Sequence, residues 1–237
     1  MGIKKAINLS IIVILIVPVL SFGGLDLSSY SPETVTNKIK PVISFLAQRQ
    51  QIPLGHLLYE PRPGAVITAQ ASTGANLSEF WGGAPGLWSS IAVSKNLLLT
   101  ATLNNSGIGN DNATSFGSGF TTSWGEDSTK NYFSLGINYL RGPDDFYSQN
   151  IHISLQKRII FRGWQIMGGL TRHFNRLSIN VADNPNSEDN YKDTKRIELT
   201  HLRAGIYKRE PNFSYGLEGT VSCHMLGISV NITAYLP

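Results

Sequence analysis

From residue 64 to the C-terminus, apolar and polar side chains alternate with a period of two. The last segment shows it most plainly. Leu226, Ile228, Val230, Ile232, Ala234 and Leu236 fall on one face, and Gly227, Ser229, Asn231, Thr233 and Tyr235 fall on the other. Residues 149–160 set Ile151, Ile153, Leu155 and Ile159 against His152, Ser154, Gln156 and Arg158. A strand turns successive side chains to opposite faces, so each such segment has one apolar and one polar surface. The alternation predicts about ten strands, at 64–72, 86–94, 97–104, 116–124, 131–140, 149–160, 164–175, 195–208, 213–222 and 226–236. Most run about 8–12 residues. Strands of soluble proteins average about 5–6 residues, whereas strands that cross a bilayer need about 9–11. An eight-strand version stays open if the first strand or the 86–104 hairpin is misassigned.

The connections carry a second pattern. Short turns stand at Lys95-Asn96, Phe161-Arg162-Gly163 and 209–212, and a medium one at 125–130. Longer loops stand at 73–85, 105–115, 141–148 and 176–194, while 223–225 is tight. Short turns at one end and long loops at the other are expected of a barrel with periplasmic turns and extracellular loops.

Ahead of residue 64 the period changes. Val35, Ile39, Val42, Ile43 and Leu46 recur at helical spacing over 31–50. Ser31 suits the cap and Pro32 the first helical position, and Pro41 should kink or split the helix. With Lys38, Lys40 and Arg49 beside the apolar stripe, the helix fits either docking on the main domain or a membrane surface. Residues 51–63, with Pro53, Pro61 and Pro63, read as a linker. Residues 24–63 are open to three placements: plugging a barrel, lying on the inner leaflet, or staying disordered. Residues 1–23 read as a secretory signal: Lys4 and Lys5, an apolar run over 11–20, then Ser21 and Gly23 at the −3 and −1 positions. The organisation expected is a signal peptide at 1–23, a helical segment and linker at 24–63, and a β-domain at 64–237.

Composition explains why no long apolar run accompanies this pattern. The chain of 237 residues is 41% hydrophobic yet only 15% charged, against about 25% charged in an average soluble domain. One cysteine, Cys223, excludes a disulfide scaffold. The formal charge of +4 falls to +2 when Lys4 and Lys5 leave with the signal, so nothing speaks for nucleic acid. The polar strand faces hold Gly, Ser, Thr, Asn and Gln rather than Lys and Glu. Small polar residues suit a narrow lumen better than an open surface.

Over residues 64–237 the chain resembles, in architecture and patterning, the small outer-membrane β-barrel proteins of Gram-negative bacteria. It departs from them at its end, Tyr235-Leu236-Pro237, where such barrels commonly carry a terminal aromatic. The resemblance implies an all-β, antiparallel up-and-down transmembrane barrel in the outer membrane. It implies contact with outer-membrane lipid and with the barrel-insertion machinery, and leaves any ligand unknown.

The register directs His152, Ser154, Gln156, Arg158, Gln165, Thr171, His173, Glu218 and Asn231 into the lumen, and His201, Arg203 and Tyr207 by the pattern of their neighbours. Arg203 or Arg158 paired with Glu218 would neutralise a buried charge. Trp88, Trp124, Trp164, Phe174, Phe213 and Tyr215, near strand ends, are candidates for interfacial girdles. Nothing calls for a cofactor or a metal: Asp183, Glu188, Asp189 and Asp193 lack a calcium-loop spacing and read as a solvated loop. The expected role is non-enzymatic: structural, surface-interacting or a narrow passive channel. Two alternatives stand beside it. One is a membrane-embedded lipid or ester hydrolase, with His152 activating Ser154. The other is a soluble lipocalin-like barrel holding an apolar ligand.

Overall fold

A computed structural model describes residues 32–58, 64–75, 80–82, 86–108, 111–142, 147–181 and 191–236. The signal segment 1–23 and the acidic loop around Asp183, Glu188 and Asp189 lie outside them. The chain opens with helix α1 (Pro32–Gln50) and a 3-10 turn (Leu54–Leu58). Eleven strand segments follow: β1 (Gly64–Ala75), β2 (Phe80–Gly82), β3 (Gly86–Ser94), β4 (Leu97–Ile108), β5 (Asp111–Glu126), β6 (Thr129–Arg141), β7 (Tyr147–Phe161), β8 (Trp164–Val181), β9 (Tyr191–Arg209), β10 (Phe213–Val221) and β11 (Leu226–Leu236).

From β3 to β11 each strand pairs antiparallel with the next, and β11 closes on β1, from Ala65 opposite Leu236 to Ala75 opposite Leu226. β2 is a three-residue piece that pairs with the far end of β1 on the edge whose near end pairs with β3. The result is a closed barrel of ten strand positions, as the alternation predicts. Closure removes the free edges that an open sheet would expose.

The strands extend beyond the predicted segments mostly at the loop end. β8 runs 18 residues and β9 runs 19, well past the ~9–11 that cross a bilayer. At the other end the turns are tight. Arg162 and Gly163 both take positive φ, 49° and 77°, the two-residue geometry that matches strand twist in a hairpin.

The outer wall is apolar. Leu87, Ile91, Leu103, Leu155, Leu202 and Ile228 are each 47–63% exposed on successive parts of the barrel. A continuous apolar surface of this kind marks a membrane or partner contact rather than a wall in water. Among the described residues no helix is long and apolar enough to cross a membrane, which bears only on helices.

The N-terminal segment is inside the barrel. From Val42 to Leu58 every side chain with a described environment is buried. Of the placements left open, residues 42–58 take the plug, docked on the inner wall of the β-domain rather than lying at a membrane surface. Two local expectations also change. The helix runs unsplit through Pro41. Residues 51–58 are not a free linker; Leu54–Leu58 forms a buried 3-10 turn.

Candidate functional site in the barrel lumen

The segment runs through the lumen in one direction. Near the loop end, Ser44 Oγ lies 2.8 Å from Ser222 Oγ in the β10–β11 connection. At the turn end, Arg209 Nη1, on the last residue of β9, donates to Leu58 O at 2.6 Å. The chain therefore passes from the loop end to the turn end, and β1 starts back up from there. Two glycines of the wall admit it closely. A Cβ on Gly74 would meet the Phe45 ring at 2.8 Å, and one on Gly227 would meet the Gln48 amide at 2.2 Å.

A helix end and the irregular backbone after it leave carbonyl and amide groups with no intrahelical partner, and buried ones must be satisfied. Here the barrel wall satisfies them. Asn138 Nδ2 donates to Gln50 O at 3.2 Å, and Arg203 Nη2 donates to Ile52 O at 2.9 Å. The Leu54 N–H donates to Glu218 Oε2 at 3.0 Å. Side chains add to this. Asn150 donates to Gln50 Oε1 at 2.9 Å, Gln48 donates to Ser229 at 3.3 Å, and Gln51 bonds His201 Nδ1. His201 Nε2 lies 3.0 Å from Ser44 Oγ. His56 sits between Thr68 and Ser90, with Nδ1 2.7 Å from Thr68 Oγ1.

Two features organise the wall. The first is an ion pair of buried groups, Arg203 with Glu218, whose Nε–Oε1 distance is 2.8 Å. Glu218 also accepts from Tyr207 OH at 3.0 Å and from Asn231 at 3.4 Å. A buried ion pair is tolerable only when its remaining hydrogen-bonding capacity is used, and here the plug backbone uses part of it. The second is a row of three imidazoles. His152 and His173 lie directly opposite each other on β7 and β8, with centroids 5.8 Å apart, and His173 lies 4.7 Å from His201.

At the turn end the lumen becomes apolar. Ile52, Leu54, Leu57 and Leu58 pack into a cluster with Val66, Ala92, Leu98, Tyr132, Met167 and Tyr207, which come from six different strands. Near the loop end, beside Ser222, partial burial and the charge of Lys40 hold the His224 imidazole below its ordinary range.

The structure places His152, Ser154, Gln156, Arg158, His173, Arg203, Glu218 and Asn231 inside the barrel, each no more than 5% exposed. It does not join them in one site. Arg203 and Glu218 meet the plug backbone at Ile52 and Leu54, and Asn231 bonds Glu218, while Arg158 turns to the neighbouring β5–β6 hairpin and donates to Asp127 O at 2.7 Å. Ser154 shares its hydrogen bond with Thr171 at 3.0 Å, and the Nδ1 of His152 faces Asn138 at 3.3 Å. Among the described hydrogen bonds none links His152 to Ser154, and both face the lumen, away from the lipid side that a lipid hydrolase would use.

Of the six aromatics expected in girdles, Trp124, Trp164, Phe174 and Tyr215 are 39–49% exposed on the outer wall, and Phe213 is half-buried. Trp88 is a correction. It is 1% exposed and points into the lumen. On β3 the outward positions are Leu87, Ile91 and Val93, so Trp88 is out of phase with the apolar face. A Cβ on Gly86 would come within 2.4 Å of the indole, so the absent side chain there makes its room.

No protein-family model and no curated protein matches the sequence. Solved structures do match in shape. The translocator domain of the autotransporter NalP from Neisseria meningitidis is 10% identical, with a TM-score of 0.54 over 85% of this chain and 98% of that one. This is the fold of an outer-membrane β-barrel. Looser likenesses are to the KdgM porin in complex with disordered oligogalacturonate, 9% identical at a TM-score of 0.40, covering 71% of this chain and 98% of that one. Neisserial surface protein A is 11% identical at 0.34, covering 73% and 96%.

The sequence reading left the plug as one of three open placements and could not choose it. Its helix buries apolar and polar residues alike, Ile43 and Leu46 beside Ser44, Gln48 and Gln50. A helix seated in a polar lumen has no need of a one-sided apolar stripe. The available signal was the run Gln48, Arg49, Gln50, Gln51 and His56, rich in groups that donate and accept hydrogen bonds but poor in acidic charge.

Proposed function

We propose that this chain is a non-enzymatic β-barrel of the bacterial outer membrane that is closed by its own N-terminal segment and acts at the cell surface. The observation that carries the reading is the occupied lumen: Val42 to Leu58 is buried within the barrel and bonded to seven of its strands. A barrel of this size leaves little free bore even when empty, and here the bore holds a helix. A steady passive channel does not fit that filling. The apolar outer wall supports contact with outer-membrane lipid, and a signal at 1–23 supports delivery from the periplasm to the insertion machinery. Short turns then face the periplasm and the long strands and loops project outward. On that orientation the Ser44 end of α1 lies toward the outer face, which puts the working surface at the loop end.

Planar-bilayer recording tests this. The full mature chain should give no discrete current steps, and a variant lacking residues 24–58 should give them. Steps from the full chain at neutral pH overturn the closed reading. A tag placed after Gly24 should be detected on intact cells; detection only after the outer membrane is permeabilised overturns the orientation.

A further inference from the structure

Near the loop end the outer wall carries a cluster of charge that a lipid-facing wall should not. On β8 the outward residues from the turn end are Trp164, Ile166, Gly168, Leu170, Arg172, Phe174 and Arg176. With a rise of ~3.3 Å per residue and a tilt of ~40°, the ten steps from Trp164 to Phe174 climb about 25 Å, the height of a barrel's apolar band. Phe174 thus marks the outer edge of the band. Arg172 lies just within it, and Arg176 just beyond.

Across the ladder, Arg176 stands directly opposite Arg196 on β9, and both are exposed on the outer face. Like charges directly opposite in a sheet repel, and this pair sits at the level of lipid headgroups. Arg172 is already engaged, with Glu198 and with Thr200 Oγ1 at 2.8 Å. Neither Arg176 nor Arg196 has an ion-pair partner among the described residues. Beside them a cavity of about 340 Å³ is lined by Gln149, Ile151, Phe174, Asn175, Arg176, Arg196 and Glu198. Its lower side is apolar and its upper side cationic.

We infer that this cleft on β7–β9 binds an outer-leaflet lipid through a phosphate of its headgroup. The phosphate oxygens bridge the Arg176 and Arg196 guanidinia, and an acyl chain lies against Ile151 and Phe174. A guanidinium presents a planar fork that matches phosphate oxygens in pairs, so one phosphate turns a repulsive pair into two charge-assisted contacts. Among the described residues no carboxylate pairs with either guanidinium. The inference rests on the outward face being the lipid face.

Native mass spectrometry of the full mature chain in detergent, titrated with phosphatidic acid and with phosphatidylcholine, tests it. The wild type should retain phosphatidic acid selectively. The R176Q/R196Q double variant should lose about tenfold in retention, the size of two modest charge-assisted contacts. K157Q, which removes an outward cation near the turn end, should leave it unchanged. E198Q should raise retention, because it removes the one carboxylate at the cleft. R176K/R196K should retain an intermediate amount, which separates fork geometry from charge. Equal retention by the double variant and wild type overturns the site. So does loss of the bound lipid to excess inorganic phosphate, which would make it a free-anion site. Heat-modifiability on gels, read on every variant, reports the folded barrel separately, so a failed barrel and a failed lipid site give different results.

Discussion

The two ends of the lumen hold the same segment by different means. At the turn end, Leu54, Leu57 and Leu58 sit among Val66, Leu98, Tyr132, Met167 and Tyr207, and the Arg203–Glu218 pair ties down the backbone beside them. Nearer the loop end, Ser44, Gln48, Gln50 and Gln51 meet Ser222, Ser229, Asn150 and His201 through neutral hydrogen bonds. Burying a leucine contributes about 1.5–3 kcal/mol, whereas a neutral hydrogen bond contributes about 0.5–1.5 kcal/mol net, because water competes for both partners. The turn end is therefore an anchor and the loop end a set of exchangeable contacts. If the plug ever leaves, it loosens from the loop end first.

Breaking the anchor should have the largest effect. Glu218→Ala leaves Arg203 buried without its partner, and deprives the Leu54 N–H and Tyr207 OH of an acceptor. A loss of about 3–5 kcal/mol is expected, read as a lowered midpoint of urea unfolding in lipid vesicles. An unchanged midpoint would show that the anchor is not electrostatic. Leu57→Ala, fully buried in the apolar cluster, should cost about 2–5 kcal/mol in the same assay. It should also give flickering currents in a bilayer, since the apolar end of the seal is loosened.

At the loop end, Ser44→Ala should cost only about 1 kcal/mol. Its signature is local: faster amide exchange over residues 42–48 with little change over 54–58. Equal acceleration at both ends would erase the distinction drawn here. The smallest effect is that of pH. Because the His224 pKa is lowered in the fold, its neutral form is the one the plugged state favours. That contribution is complete above the ordinary value of about 6.5 and is lost as pH falls from there toward the lowered value. Acidification should speed exchange over residues 42–48, corrected for the intrinsic pH dependence of amide exchange, by no more than a few fold, and His224→Gln and Lys40→Gln should each reduce that dependence.

Much of the wall was legible in the chain. The strand count and the inward and outward faces follow from alternation, which is a property of each strand alone. Trp88 shows the limit of reading residue type in place of phase: an aromatic near a strand end suggests a girdle, yet Leu87, Ile91 and Val93 had already assigned the outward register of β3. The extra length of β8 and β9 was less visible. Residues 176–181 do alternate, but with the phase inverted: Leu177 is buried in the lumen while Arg176 is exposed, so the stretch breaks the apolar-outward pattern of the strand before it and reads as loop.

By itself the sequence determined a barrel: the period of two, the spacing of turns and the poverty of charge need no tertiary information, since each is set by local geometry and by what the two faces touch. Tertiary structure decided closure and contents. The β1–β11 ladder joins residues at opposite ends of the domain. The Ser44–His201, Leu54–Glu218 and Gln48–Ser229 contacts span 157, 164 and 181 residues. A polar helix satisfied by a polar wall has the same composition as one satisfied by water, so only the folded barrel shows which of the two Val42 to Leu58 meets.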